Sequence, residues 1–176
     1  MNPVPWTVER IQLEDAEEAG LVHTRVWQEA YAGLMPDEYL AALDPVKAGQ
    51  RRRDRIRHPG PGVDEWVARD EEGIVGMAAS GPPRDDDPPT PLELYAINIL
   101  RRAHGTGLAD DLMAHAVGDR PAYLWVLEGN DRAIAFYRRH GFADEGGRKP
   151  EPDTGGVEIR MARGHAELSA GPSSGP

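Results

Sequence analysis

The stretch richest in chemistry runs Leu92-Glu-Leu-Tyr-Ala-Ile-Asn-Ile-Leu100 and continues Arg101-Arg-Ala-His-Gly-Thr-Gly-Leu-Ala109. An apolar, strand-like run enters a tight turn, and a helical pattern starts at the glycines. Consecutive backbone N–H groups at a helix N-terminus, uncrowded by side chains, make an anion site suited to phosphate. A plain glycine-containing strand–helix connection has the same local form, so the turn alone leaves both readings open. Two other phosphate motifs are excluded. A P-loop ends in Gly-Lys-Ser/Thr, whereas Gly107 is followed by Leu108 and Ala109; a dinucleotide fingerprint needs a small residue where Asp110 stands. The absence of cysteine removes thiolate zinc sites, disulfides and cysteine nucleophiles. Asp85-Asp-Asp87 lies in a proline-rich loop with no histidine spacing nearby that suggests a metal.

The elements around this turn can be read from periodicity. Thr7 to Ile11 reads as a strand, and Glu14-Asp15 to Tyr31 as a helix with Ala19, Val22, Val26 and Ala30 on one stripe. Pro36–Leu43 and Pro45–Arg57 read as helices, and Glu65–Arg69 with Ile74–Ala79 as a hairpin. Gly81 to Pro91 is a loop by composition. Then follow a strand over 92–100, a helix over 107–117, a strand over 122–127 and a helix from Asn130 or Asp131 to His140, stopped by Gly141. Phe142–Asp144 and Val157–Arg163 are the last strands, with a Gly/Pro-rich loop between them. Antiparallel hairpins flanking two αβ crossovers predict a mixed sheet.

The second half adds Leu124-Trp-Val-Leu-Glu-Gly-Asn130 and Asp131-Arg-Ala-Ile-Ala-Phe-Tyr137-Arg-Arg-His-Gly141-Phe142. Together the two stretches resemble the GNAT superfamily of acyl-CoA-dependent N-acetyltransferases. Leu94–His115 is similar to the family's motif A and Trp125–Phe142 to its motif B; the spaced set Asn130, Ala133, Phe136-Tyr137, Gly141-Phe142 carries the specificity. Val26-Trp27 through Tyr31-Ala-Gly-Leu-Met-Pro36 is similar to the first helices of small members, so the likeness spans about Val8 to Arg163. One place departs: His104 stands where the pyrophosphate signature has Gln or Arg. The implied fold is α/β of the α+β type, a mixed, mostly antiparallel sheet of about seven strands with flanking helices. A V-shaped splay divides its centre, and the bulge that makes it cannot be located from sequence.

The resemblance implies acetyl transfer from acetyl-CoA to a primary amine by direct attack in a ternary complex. A non-catalytic acyl-CoA sensor on the same fold is the alternative. Pantetheine would bond the strand at Ile97, Asn98 and Ile99, with the N–H near Ile99 as oxyanion donor. Pyrophosphate would lie over His104, Gly105, Thr106, Gly107, Leu108 and Ala109, with positive charge from Arg101 and Arg102 and a further contribution from Asn130. Tyr137 is the expected general acid; a phenol of pKa ~10 can protonate a thiolate of pKa ~8.5. Glu93 is the expected base, placed on the face of Ile97 and Ile99 by period-two alternation. Trp27 and Tyr31, recurring with His23 every four residues, are expected to border the acceptor, with Asp37 and Glu38 able to attract a cation.

The whole chain has 176 residues, 39% hydrophobic and 28% charged, with a net charge of −10. That suits one domain over 1–163 and a disordered tail over 164–176. The acidity argues against nucleic-acid or anionic-membrane partners and for a cationic small-molecule or peptide amine. Arg51-Arg-Arg-Asp-Arg55 with Arg57 reads as a solvated helix face. No signal or membrane segment is legible, so the expected location is cytoplasmic. No metal is expected, and a homodimer stays open.

Overall fold

The structure, a computed structural model, describes residues 6–164, so all but the first residue of the expected tail lies outside the described residues. In chain order the elements are β1 (Thr7–Arg10), α1 (Ala16–Ala30), α2 (Asp37–Ala41), α3 (Pro45–Arg57), β2 (Asp64–Asp70), β3 (Gly73–Gly81) and β4 (Glu93–Ile99). Then come α4 (Leu108–Ala116), β5 (Ala122–Leu127), α5 (Asp131–Arg139), β6 (Ala143–Pro150) and β7 (Val157–Arg163). The seven strands form one sheet in the order β1-β2-β3-β4-β5-β7-β6. Every neighbouring pair is antiparallel except β4–β5. This is the expected mixed sheet. Among the described residues no helix is long and apolar enough to cross a membrane.

One strand differs from expectation. β6 continues to Pro150 instead of stopping at Asp144, because a bulge absorbs the residues that read as loop. Asp144 opposes Met161, and the next paired residue, Arg148, opposes Ile159. The Asp144 carboxylate accepts the Gly146 N–H at 2.8 Å and binds the Arg148 guanidinium at 2.7 Å, which fixes the bulge from within.

The helices pack on the sheet through faces visible in the sequence. Leu108, Leu112, Met113 and Ala116 of α4 are buried, and the Ser80 hydroxyl donates to the Ala116 carbonyl at 2.6 Å. A Cβ on Gly76 would meet Leu112 Cδ1 at 3.0 Å, so Gly76, Ala78 and Ser80 share the face under α4. α1 and α3 cover the other face and touch at backbone distance. A Cβ on Gly20 would sit 2.4 Å from the Gly49 nitrogen, so any side chain there would force the helices apart. Asp44 caps α3, accepting from the Val46 and Lys47 N–H groups at 2.9 and 3.2 Å with Pro45 in the first helical position.

Candidate active site

β4 and β5 pair only at Glu93↔Tyr123 and Leu94↔Leu124. Beyond Leu94 they part, and the V between them is a cleft of about 740 Å³. Leu94–Ile99 lines one wall, Trp125–Leu127 the other, and α1, α5 and the glycine turn close it round. The Leu100 N–H donates to the Val75 carbonyl of β3 at 3.0 Å. By alternation the N–H groups of Ile97 and Ile99 then point away from β3, into the V. The edge of β4 at Ile97–Ile99, expected to take pantetheine, is therefore unpaired.

The bulge lies in β4. Ala79 opposes Ala96, but Ser80 opposes Leu94, which leaves Tyr95 as the extra residue. Ile97, Ile99 and Leu94 pair with Ala78, Gly76 and Ser80 and so face α4; Glu93 pairs with Gly81 and faces the other way. Period-two alternation failed here because the bulge reverses it. Glu93 does not line the cleft. It is 1% exposed, and its carboxylate accepts from the Arg84 N–H (2.9 Å), Nε (3.1 Å) and Nη2 (2.6 Å) and from the Tyr123 hydroxyl (3.1 Å). Glu93, expected as base, instead has its lone pairs engaged by Arg84 and Tyr123 and is not among the residues lining the cleft.

The glycine turn opens onto the cleft. Gly105 has φ 77° and Gly107, the residue capping α4, has φ 96°, backbone regions that favour glycine. A Cβ at either would meet nothing within 4 Å, so the turn presents bare backbone to open space beside a helix N-terminus. His104, Gly105, Gly107, Ala109 and Asn130 line the cleft. Thr106 and Leu108 do not. The Thr106 hydroxyl donates to the Ala103 carbonyl at 2.8 Å and ties the turn, while Leu108 is buried in the core. Asn130 caps α5, its side-chain oxygen accepting from the Ala133 N–H at 3.2 Å.

His104 meets the open strand. Its Nε2–H donates to the Ile99 carbonyl at 3.0 Å, burial lowers its pKa, and its buried Nδ1 has no partner. A neutral imidazole there brings no cation to the turn. Arg102 brings none either: it is turned away, its guanidinium gripping Asp70 with Nη2 at 3.0 Å from Oδ1 and Glu72 at 3.6 Å. The cations that line the cleft are Arg101, Arg132 and Arg139. The last two were missed in the sequence, although their place on the helix capped by Asn130 was visible there.

At the inner end, Tyr137 is buried and lines the cleft. Burial pushes its phenol up, with the neighbouring Tyr31 phenol adding to the effect. Trp27 and Tyr31 also line the cleft, their rings edge-on at 5.0 Å, and His23 stacks on Trp27 at 5.2 Å. Three carboxylates not singled out from sequence line the cleft, Glu29, Glu151 and Glu158. Burial raises the half-buried Glu158 above the usual carboxylate range, opposed by Lys149 at 3.7 Å. Burial raises the Tyr31 phenol, and Glu158 and Glu151 add to the effect. Asp37 and Glu38 are exposed on α2 and do not line the cleft.

The family model described as an acetyltransferase (GNAT) domain matches residues 61–144. Over 172 residues the chain is 30% identical to the uncharacterized N-acetyltransferase YuaI of Bacillus subtilis (strain 168), covering 93% of this chain and 95% of that one. Among solved structures, the PaiA N-acetyltransferase of Thermoplasma acidophilum in complex with coenzyme A matches with a TM-score of 0.71 at 15% identity, over 92% of this chain and 99% of that one. A Corynebacterium glutamicum ATCC 13032 protein described as histone acetyltransferase HPA2 and related acetyltransferase matches with a TM-score of 0.66 at 25% identity, over 93% and 98%.

Proposed function

The chain belongs to the GNAT family of acetyltransferases, and from that premise we propose that it moves an acetyl group from acetyl-CoA to a primary amine. The observation that carries the reading is the parting of β4 from β5 directly upstream of the glycine turn. An open strand edge at Ile97–Ile99 suits the amides of pantetheine, and the bare turn with Arg101, Arg132 and Arg139 suits a pyrophosphate. Acetyl-CoA supplies the activated acetyl thioester. The N–H near Ile99 bonds the acyl oxygen as it gains charge.

Tyr137 donates a hydrogen bond to the departing sulfur. Its raised pKa keeps the phenol protonated across the working range, so the donor is always loaded. The same desolvation that raises the phenol raises a thiol beside it, which narrows the gap between donor and acceptor. Glu158, in place of Glu93, takes the amine proton, directly or through water, because it is the half-buried cleft carboxylate that burial has moved toward neutral. Trp27 and Tyr31 form the wall against which the acceptor packs.

The test is a thermal shift with acetyl-CoA followed by a thiol-release assay over a panel of amines. Ligand at a hundred times Kd adds about 2.7 kcal/mol of stability. Gly107→Glu, which sets a carboxylate against the phosphates, removes that increment. No shift at millimolar acetyl-CoA refutes the reading, and binding without thiol release on any amine marks a sensor.

A further inference from the structure

A second cavity, of about 690 Å³, lies on the α1/α3 side of the sheet. It is continuous with the cleft: His23, Trp27, Tyr95, Ala96 and Asn98 line both. Tyr95 is the bulge residue, so the two spaces meet where β4 turns its carbonyls and amides aside. In a chain of net charge −10, this cavity is walled by arginines. Among the described residues Arg10, Arg52, Arg55 and Arg84 line it against one lining carboxylate, Glu65, with Arg10 paired to Asp64. In the run 51–57, expected to be a solvated face, Arg52 is buried, while Arg55 stays exposed at the rim of the cavity.

The internal pairing leaves cationic donors over. Buried Arg52 and largely covered Glu65 are bound to each other at 2.5 Å, so the Glu65 charge is largely neutralised by Arg52. Arg55 reaches Glu65 only at 3.5 Å and is 56% exposed. Arg84 is fixed through Nε and Nη2 to Glu93, lies over the Tyr95 ring at 4.3 Å, and keeps its remaining donors at the mouth. Glu93 thus acts through Arg84 as a positioning residue. His23, between the two spaces, has a buried Nδ1 without a partner. Its pKa is lowered to about 4 by burial and by Arg52, Arg55 and Arg51, which agrees with a positive potential there.

We propose that this cavity binds a carboxylate of the acceptor through Arg55 and Arg84, so that the substrate is an amine bearing a carboxylate, of the amino-acid or short-peptide class. The amine end lies at the bulge, towards Tyr31 and Glu158; the acid end lies at the guanidiniums, whose planar forks match a carboxylate. This rests on the acetyl-transfer reading and sharpens it. It departs from the expectation of a cationic amine, which came from net charge, from Asp37, Glu38 and Glu93, which line neither cavity, and from Trp27 and Tyr31, which line the cleft.

The experiment measures kcat/KM for α-amino acids, ω-amino acids and dipeptides, each beside its decarboxylated or amidated counterpart. Carboxylate-bearing acceptors should be preferred by about ten- to a hundredfold, the range of a charge-assisted hydrogen bond. Arg55→Gln should erase the preference by raising acceptor KM for the acids at least tenfold more than for the uncharged counterparts. Arg57→Gln, on the same helix but outside the cavity, is the control and should leave the preference intact. Equal or better use of the decarboxylated amines, or an equal loss on both sets in Arg55→Gln, overturns the proposal. Calorimetric titration of N-acetyl amino acids against N-acetyl amines on CoA-loaded protein gives the same comparison without turnover; no carboxylate dependence there overturns it too. Failure of the parent reading shows separately, as the absence of any acetyl-CoA thermal shift.

Discussion

Glu93 and Arg84 form an ion pair of unequal burial, with side chains 1% and 60% exposed. That inequality predicts that deleting the exposed partner costs more than neutralising the buried one. Arg84→Ala strands a carboxylate in the interior, and breaking a buried pair in this way costs about 3–5 kcal/mol. The bonds from the residue-84 N–H and the Tyr123 hydroxyl survive at 2.9 and 3.1 Å, which places the cost near the lower end. Glu93→Gln removes the charge instead; the guanidinium turns to water, which already screens it, and the loss is one or two hydrogen bonds, about 1–2 kcal/mol. At about 2–4 °C per kcal/mol for a chain of this size, Arg84→Ala should lower Tm by roughly 6–12 °C and Glu93→Gln by roughly 2–8 °C. Calorimetric melts at pH 7, run beside the pH profile of kcat, measure both. The reasoning fails if Glu93→Gln is the more damaging to stability. It fails equally if that variant melts like the parent but loses the acidic limb of the pH profile, for then Glu93 is a base.

Tyr137→Phe should lower kcat by about 10²–10⁴-fold with the KM for acetyl-CoA nearly unchanged, as loss of an acid felt only in the transition state requires; full kcat would make the hydroxyl structural. Glu158→Gln should cut kcat/KM and abolish its fall at acid pH. Because burial raises the folded pKa of Glu158, its charge opposes folding above that pKa, so the variant should be no less stable than the parent in urea melts at pH 7–8. His23 behaves oppositely: its folded pKa of about 4 lies below the ordinary 6.5, so in that window the unfolded chain binds more protons. Stability should therefore fall with pH between 6.5 and 4, by up to about 3 kcal/mol, and a urea-melt series on His23→Gln should lack that slope.

Most elements were legible because their signals are local. Alternation, helix stripes and glycine stops gave twelve elements in order, and the spaced set from Asn130 to Phe142 pointed to the family before any contact was known. What failed depended on register. No local signal marks Tyr95 as an inserted residue, and that one residue moved Glu93 to the other face. The β6 bulge was missed for the same reason, its glycines reading as loop. Charge misled in a different way. Arg102 sat in the right sequence neighbourhood but found Asp70, a residue from the β2–β3 hairpin, and the net charge of −10 concealed a cavity walled by arginines. Pairing across the sheet decides such matters, and it is not written at any single position.

A sheet whose central strands part has four margins instead of two, and unpaired strand margins invite other chains to add on and aggregate. Here the inner pair face each other across a wedge closed at Leu94 and Leu124, with α1, α5 and the glycine turn round it. The outer pair are guarded by other means. β1 has four residues, including Glu9 and Arg10, and β6 is bulged, charged at Asp144, Arg148 and Lys149, and ended by Pro150. The fold thus keeps its unpaired inner margins within the V while its outer margins carry charge, a bulge and proline. Solubility at high concentration should accordingly be sensitive to changes that flatten β6, such as straightening its bulge, and indifferent to changes inside the V.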